Sequence, residues 1–258
     1  SIHQQHETAY STRTVKDGLA PGTALWATIH TYADVDFYSR YGILSNDQIL
    51  SYLNDAETIY STQLGVRFKV VGQTILTDSD PYTDPNQMLS NFRKNPNAPY
   101  QDANLKHLFS GKDMNGYTVG ISYQGAVCYS PNYAYGISQD YYGLTGNILT
   151  HELGHNFGAF HDTSDFGNIM YPVVQMGDSY FTANSLNQIN SLINNSLLPN
   201  SQSNNQLILK RGGNLQYPNN YGNPQYGNPM YGNPMYGNPQ YGSPYLARNM
   251  LKQNYDQS

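Results

Sequence analysis

The chain has a single cysteine, Cys128, in 258 residues. A disulfide within the chain is therefore excluded, and a folded domain must rely on packing alone. Cys128 reads as a small buried hydrophobe, with a reactive or inhibitory thiol as the alternative. Charge is also scarce. Asp, Glu, Lys and Arg make up 12% of the residues, about half the usual share. With 13 basic against 18 acidic side chains and a net charge of −5, no basic face is indicated and no nucleic-acid partner is expected. No apolar run approaches the roughly 18 residues of a membrane span, so none is expected. Tyr, Gly, Asn, Gln and Ser supply the polarity instead.

Three stretches differ in composition. Residues 1–21 are polar and run into Gly18-Leu19-Ala20-Pro21-Gly22. They read as a leader arm or propeptide remnant, and Ser1 in place of Met suggests a trimmed product. No cysteine precedes the domain, so this segment cannot mask a metal with a thiol. Residues 22–198 read as one folded domain. A buried strand is expected over Thr23–Thr31. A helix is expected from an Asn46 cap through the stripe Ile49, Leu50, Leu53, Ile59 and Leu64. Val66–Val71 alternates as a strand, and a short helix is expected over Asn86–Arg93. Tyr117–Tyr123 and Ala134–Ser138 read as strands, the second short and edge-like. Helices over 143–157 and Asn184–Leu197 and a turn over Gly167–Pro172 complete the domain.

Residues 199–258 form a low-complexity tail. Five tandem Tyr-Gly-Asn/Ser-Pro-x units run from Tyr221 to Tyr245. Pro and Gly at this density exclude helix or sheet interior, so disorder is expected. The tail is either a solvated extension or a Tyr-based attachment to a matrix, a cell-surface polymer or itself.

The chemistry concentrates in His151-Glu152-Leu153-Gly154-His155-Asn156-Phe157-Gly158-Ala159-Phe160-His161-Asp162. On a helix, residues four apart share a face, so His151 and His155 can offer imidazole nitrogens to one metal ion. Glu152 sits beside the first ligand, where its carboxylate reaches a water rather than the metal. His161 would lie about 15 Å along the axis if the helix continued. The helix must therefore stop, and Gly158 is placed to turn it, because glycine takes a left-handed helix end without steric cost. Three neutral imidazoles leave an open position on Zn²⁺, the catalytic arrangement. One zinc ion is expected. His3, His6, His30 and His107 have no partners at metal spacing and read as structural or solvated.

The motif resembles the zinc signature of the metzincins, in particular the adamalysin/reprolysin branch of snake-venom metalloproteases and ADAM-type sheddases. Asp162 directly after the third histidine carries that resemblance. So do Leu108–Asp113 through Tyr117–Tyr123 leading to Cys128, Tyr135–Asp140, and Asn168–Pro172, which is similar to the Met-turn and to its matrixin form. The resemblance implies an α/β (α+β) fold: a twisted mixed sheet with helices in a large N-terminal subdomain, a small C-terminal subdomain, and zinc in the cleft between. It implies secretion or an extracellular, cell-surface or periplasmic location. It implies hydrolysis of protein or peptide substrates through a zinc-bound water, with Glu152 as general base.

By the same resemblance Met170 forms an apolar floor beneath the histidines, and Asp162 stabilises the lower subdomain by hydrogen bonds. An ordinary turn residue is the alternative for Asp162. Family members usually pair the cysteine at position 128, which has no partner here. Substrate is expected to add as a strand at Ala134, Tyr135, Gly136 and Ile137. A loop over Val173–Phe181, with Val173, Val174, Met176 and Phe181, is expected to favour an apolar side chain after the scissile bond. Against the enzyme stand a catalytically spent scaffold that binds surfaces through its tail, and a self-inhibited product covered by residues 1–21.

Overall fold

The computed structural model describes residues 25–77, 84, 86–95, 103–114, 116–129, 131–197 and 209–211. The leader arm, the Tyr-Gly repeats, His3, His6 and the Cys128 side chain lie outside the described residues.

A six-stranded mixed sheet organises the domain. β1 (Leu25–Ala33), β2 (Val66–Ile75), β3 (Leu105–Ser110), β4 (Gly120–Ser122), β5 (Tyr135–Gln139) and β6 (Leu209–Arg211) follow in chain order. Their spatial order is β2-β1-β3-β5-β4, with β6 paired to β1. β1, β2, β3 and β5 run parallel. β4 and β6 run antiparallel to their neighbours. Parallel strands need crossovers: α1 (Val35–Tyr41) and α2 (Ser45–Leu64) lie between β1 and β2, α3 (Met88–Lys94) between β2 and β3, and β4 with α4 (Ala126–Tyr129) between β3 and β5, while α5 (Thr145–Asn156) and α6 (Ala183–Leu197) follow β5.

The long helix α2 buries Ile49, Leu53, Ala56, Tyr60 and Leu64 on one face, a 3.6-residue stripe. Leu50 and Ile59 pack at its margin. Asn46 is not its cap. The helix begins one residue earlier, behind Leu44, with no side-chain cap bond. Its left-handed end is Gly65, at φ 67°. α1 had no signature in the hydrophobic pattern; the Asp34 carboxylate caps it by accepting from Phe37 N–H at 2.8 Å.

The sheet separates two apolar clusters. Leu25, Ala27, Ile29, Leu105 and Phe109 meet α2 and α5 on one side. Tyr32, Leu108, Tyr135 and Ile137 meet α3 on the other. Tyr60 joins the larger core to the C-terminal segment, its ring lying 5.4 Å from Phe157 and 5.3 Å from Phe181.

One expectation about the sheet is corrected. The segment Tyr135–Gln139 is not an edge. It pairs with β3 on one side and β4 on the other, and all five of its residues are buried. Ala134, Tyr135, Gly136 and Ile137 therefore have no free ladder for a substrate strand. The edge belongs to β4, which is shorter than Tyr117–Tyr123 and spans only Gly120–Ser122. Among the described residues no strand pairs with its outer side. Leu209–Arg211, beyond the expected boundary at 199, pairs with Leu25–Ala27.

Candidate active site

α5 is buried on nearly every side because it crosses the core side of the sheet. Ile148, Leu149 and Leu153 are fully buried. His151 and Glu152 are 3% and 4% exposed. The helix gives way at Phe157. Gly158 N–H donates to His155 C=O at 2.9 Å, and Ala159 N–H donates to Gly154 C=O at 2.9 Å. Gly158 stands at φ +98°, and a Cβ there would lie 2.9 Å from Leu192 Cδ1 on α6. This break returns the chain so that His161 Nε2 lies 3.2 Å from His151 Nε2. One nitrogen from each of His151, His155 and His161 falls within 4.8 Å of the others.

Gly158→Val should therefore disturb the site through both backbone and packing. A β-branched residue is strongly disfavoured at positive φ, at a cost of about 1–3 kcal/mol. The expected result is a lower Tm together with less than one zinc per chain. A variant with unchanged Tm and full metal content would show that the turn does not need glycine.

The triad is chemically prepared for a cation. His151 Nδ1–H donates to Ile169 C=O at 2.6 Å, and His155 Nδ1–H donates to Ala159 C=O at 2.8 Å. These carbonyls fix the tautomer and leave each Nε2 as a lone pair directed inward. Burial, then the neighbouring His155 ring, lowers the His151 pKa to about 3. Burial also lowers His155 and His161, so the rings favour the neutral, ligating form. Two nitrogens at 2.0–2.1 Å from one tetrahedral ion would lie about 3.3–3.4 Å apart, close to the separation of the His151 and His161 nitrogens. The residues present fit a zinc ion.

Glu152 lies against the edge strand. Its Oε2 accepts from Ser122 Oγ at 2.6 Å. A Cβ on Gly120 would sit 2.5 Å from its Oε1. Burial pushes the carboxyl up to about 8, with the Ser122 hydrogen bond opposing.

The segment after the triad is tied down by Asp162. Its N–H donates to Met170 C=O at 2.8 Å. Its carboxylate accepts from Ser164 N–H at 2.9 Å, Thr182 Oγ at 2.6 Å and Asn184 Nδ2 at 3.2 Å. Hydrogen bonding by the Ser164 side chain foremost, then by Thr182, with lesser help from Ser164 N–H and Asn184, holds its pKa down to about 2. Asp162 thus links the turn to the start of α6. Met170 is fully buried. Its sulfur fills the space that Gly154 leaves on α5, 2.4 Å from where a Cβ would stand.

In the following loop Val173 and Met176 are exposed and Val174 is half-buried. Asn147 on α5 anchors this loop by donating to Gln175 and Asp178 carbonyls at 3.2 and 2.9 Å. Phe181 does not line the loop's surface; it is buried against Tyr60. His30 and His107 lie far from metal spacing: His30 bonds Thr74 Oγ at 2.8 Å, and His107 bonds Ser138 Oγ at 2.9 Å.

A family model described as metallo-peptidase family M12, of the reprolysin type, matches residues 25–203. The chain belongs to family M12. Curated relatives match it over shorter stretches. The snake venom metalloproteinase trimerelysin-2 of Protobothrops flavoviridis is 32% identical over 82 residues, covering 31% of this chain and 40% of that protein. The zinc metalloproteinase-disintegrin-like kaouthiagin-like protein of Naja atra is 40% identical over 72 residues, covering 27% of this chain and 12% of that protein. The matches thus span less than half the length of these relatives. A chain in the solved "Structure of a chaperone-substrate complex" is 14% identical, with a TM-score of 0.50 over 65% of this chain and 34% of that one. That likeness concerns the fold alone.

This M12 domain contains two site residues that the motif does not reveal, Gly120 and Ser122. They are distant in sequence from α5, and only the alternation within Tyr117–Tyr123 hints that they share one face. Among the described residues no helix is long and apolar enough to cross a membrane.

Proposed function

We propose that the chain is a zinc-dependent endopeptidase acting on protein substrates outside the cell. The observation that carries this reading is the convergence of three inward-facing imidazole nitrogens beside a buried carboxylate that is not a ligand. Membership of family M12 supports it, and the venom relatives support the location. The complete set of ligands and base favours an enzyme over a spent scaffold.

His151, His155 and His161 would hold the ion. When bound, zinc supplies Lewis acidity toward the scissile carbonyl and makes a water acidic enough to attack at neutral pH. The chain's own residues do the rest. Glu152 accepts the proton of the attacking water on a carboxylate oxygen and returns it to the leaving amine. Ile169 and Ala159 carbonyls keep two imidazoles in the ligating tautomer. The outer side of β4 takes the peptide. Val119 C=O and Tyr123 N–H both bond β5. By antiparallel alternation the backbone groups of Gly120 and Ser122 face outward, where an extended peptide can add a strand. Val173 and Met176 offer exposed apolar contacts for the residue after the scissile bond.

Metal analysis combined with cleavage of a peptide library tests the reading. One zinc per chain and cleavage before apolar residues are expected. Fully loaded protein that cleaves no peptide would overturn it.

The repeat tail is proposed as an attachment segment, supported by its five evenly spaced Tyr units, which suit weak multivalent contact. A chain ending at Gly213 should cleave a short soluble peptide as the full chain does and lose retention on immobilised wall or matrix polysaccharide. Equal retention of the two chains would contradict the attachment role.

A further inference from the structure

We infer that Ser122 is a positioning residue for Glu152: its side chain fixes the carboxylate while its backbone belongs to the strand edge that receives the peptide. The inference rests on the reading of Glu152 as the general base.

Glu152 carries a long side chain with several rotamers, and a base must be held within about 0.5 Å of its working position. Nothing in the zinc motif does this. Two residues of β4 do. Ser122 Oγ lies 2.6 Å from Glu152 Oε2 and 2.9 Å from the Glu152 backbone carbonyl. The shorter contact, to the acid group, is the stronger when that group is ionised. On the other side, the missing Cβ of Gly120 would overlap Oε1 at 2.5 Å, Cγ at 2.8 Å and Ile148 Cγ2 at 2.8 Å. The carboxylate is therefore lodged between the two positions, with Oε2 committed to Ser122 and Oε1 left for proton transfer.

The strand period explains why one residue can serve both roles. Gly120 and Ser122 are two apart, so their side-chain positions lie on one face of β4, toward Glu152. The same alternation turns their backbone N–H and C=O groups to the open edge. Ile121 points to the opposite face and is 41% exposed. A peptide pairing with Gly120 and Ser122 would thus press on the backbone that carries the base's anchor. A purely structural hydroxyl would need only the bond to the Glu152 carbonyl. The second, shorter contact separates the two roles.

The test uses the full chain with Ser122→Ala, Ser122→Thr, Glu152→Ala and the Ser122→Ala/Glu152→Ala pair. In zinc-loaded protein, Ser122→Ala should lower kcat about 10- to 100-fold with KM within about twofold and zinc content unchanged. Ser122→Thr keeps the hydroxyl and should recover most of that loss. In zinc-free protein, the Tm shifts of Ser122→Ala and Glu152→Ala should be non-additive by about 2 °C or more, because the pair shares one contact. A Ser122→Ala kcat within twofold of the parent, a threonine variant no better than alanine, or additive Tm shifts would each overturn the positioning role. Failure of the underlying reading looks different. Peptide cleavage surviving in Glu152→Ala would remove the base itself, while the zinc-free Tm cycle would still report whether Ser122 holds that side chain.

Discussion

Glu152→Ala should lower kcat for peptide cleavage by roughly 10²–10⁴-fold, the range that general acid–base catalysis supplies, while zinc content stays at one per chain. Three features of the site make the loss this large and this selective. The carboxylate is 4% exposed, so bulk water cannot readily replace it with a mobile base. It sits next in sequence to His151 yet is not one of the three converging ligands, so its removal leaves the metal set whole. Its burial pushes its pKa up to about 8, a sign that the fold holds it at a cost to stability. Relief of that cost should offset the lost contact with Ser122, and Tm should change by no more than a few degrees. Steady-state kinetics on a short peptide, with metal analysis and a melting curve on the same sample, decide the matter. Cleavage within tenfold of the parent would show that another group takes the proton.

His161→Ala should abolish stoichiometric zinc binding and, with it, peptide cleavage. Removing a residue that only supports a ligand costs roughly 10–100-fold in metal affinity. Removing a ligand outright leaves two imidazoles and should cost more. His161 is the most telling of the three because it is the exposed one, on the segment after the helix. His151 and His155 are held one turn apart by α5 whether or not metal is present. His161 reaches them only through the Gly158 turn and the Asp162 bonds to Met170, Ser164, Thr182 and Asn184. Competition with a chromophoric chelator gives the affinity. Chelation of the parent protein should likewise stop cleavage, and added zinc should restore it. A His161→Ala protein that keeps full zinc affinity would mean that some other donor closes the site.

What was legible in the sequence was what local rules write. The helix of the zinc motif, its glycine break and the return of a third histidine all follow from a rise of about 1.5 Å per residue and from the left-handed freedom of glycine. The stripe of α2 was legible for the same reason. β3 was less so. Leu105–Ser110 is buried at every position, including Lys106 and His107, and a strand buried on both faces shows no alternation. α1 was illegible because its seven residues bury only Phe37, too little for a periodic signal.

The order of β4 and β5 in the sheet lay beyond local rules. Both segments are short, and nothing in either says which will lie beside β3. The parallel pairing of β3 with β5 is a non-local choice, settled by Tyr135 and Ile137 packing against the α3 cluster while Gly136 and Ser138 face His107 on the side of α5. That choice moves the open edge from the segment at 135–139 to Gly120–Ser122 and lays Ser122 beside Glu152. The sequence by itself determined that His151, His155 and His161 converge with Glu152 beside them, because those four side chains sit on one helix and the turn that ends it. Only the tertiary structure decided that Ser122 contacts the Glu152 carboxyl and that β4 is the open edge, because both depend on contacts between residues about 30 positions apart, which side-chain packing selects and sequence spacing does not encode.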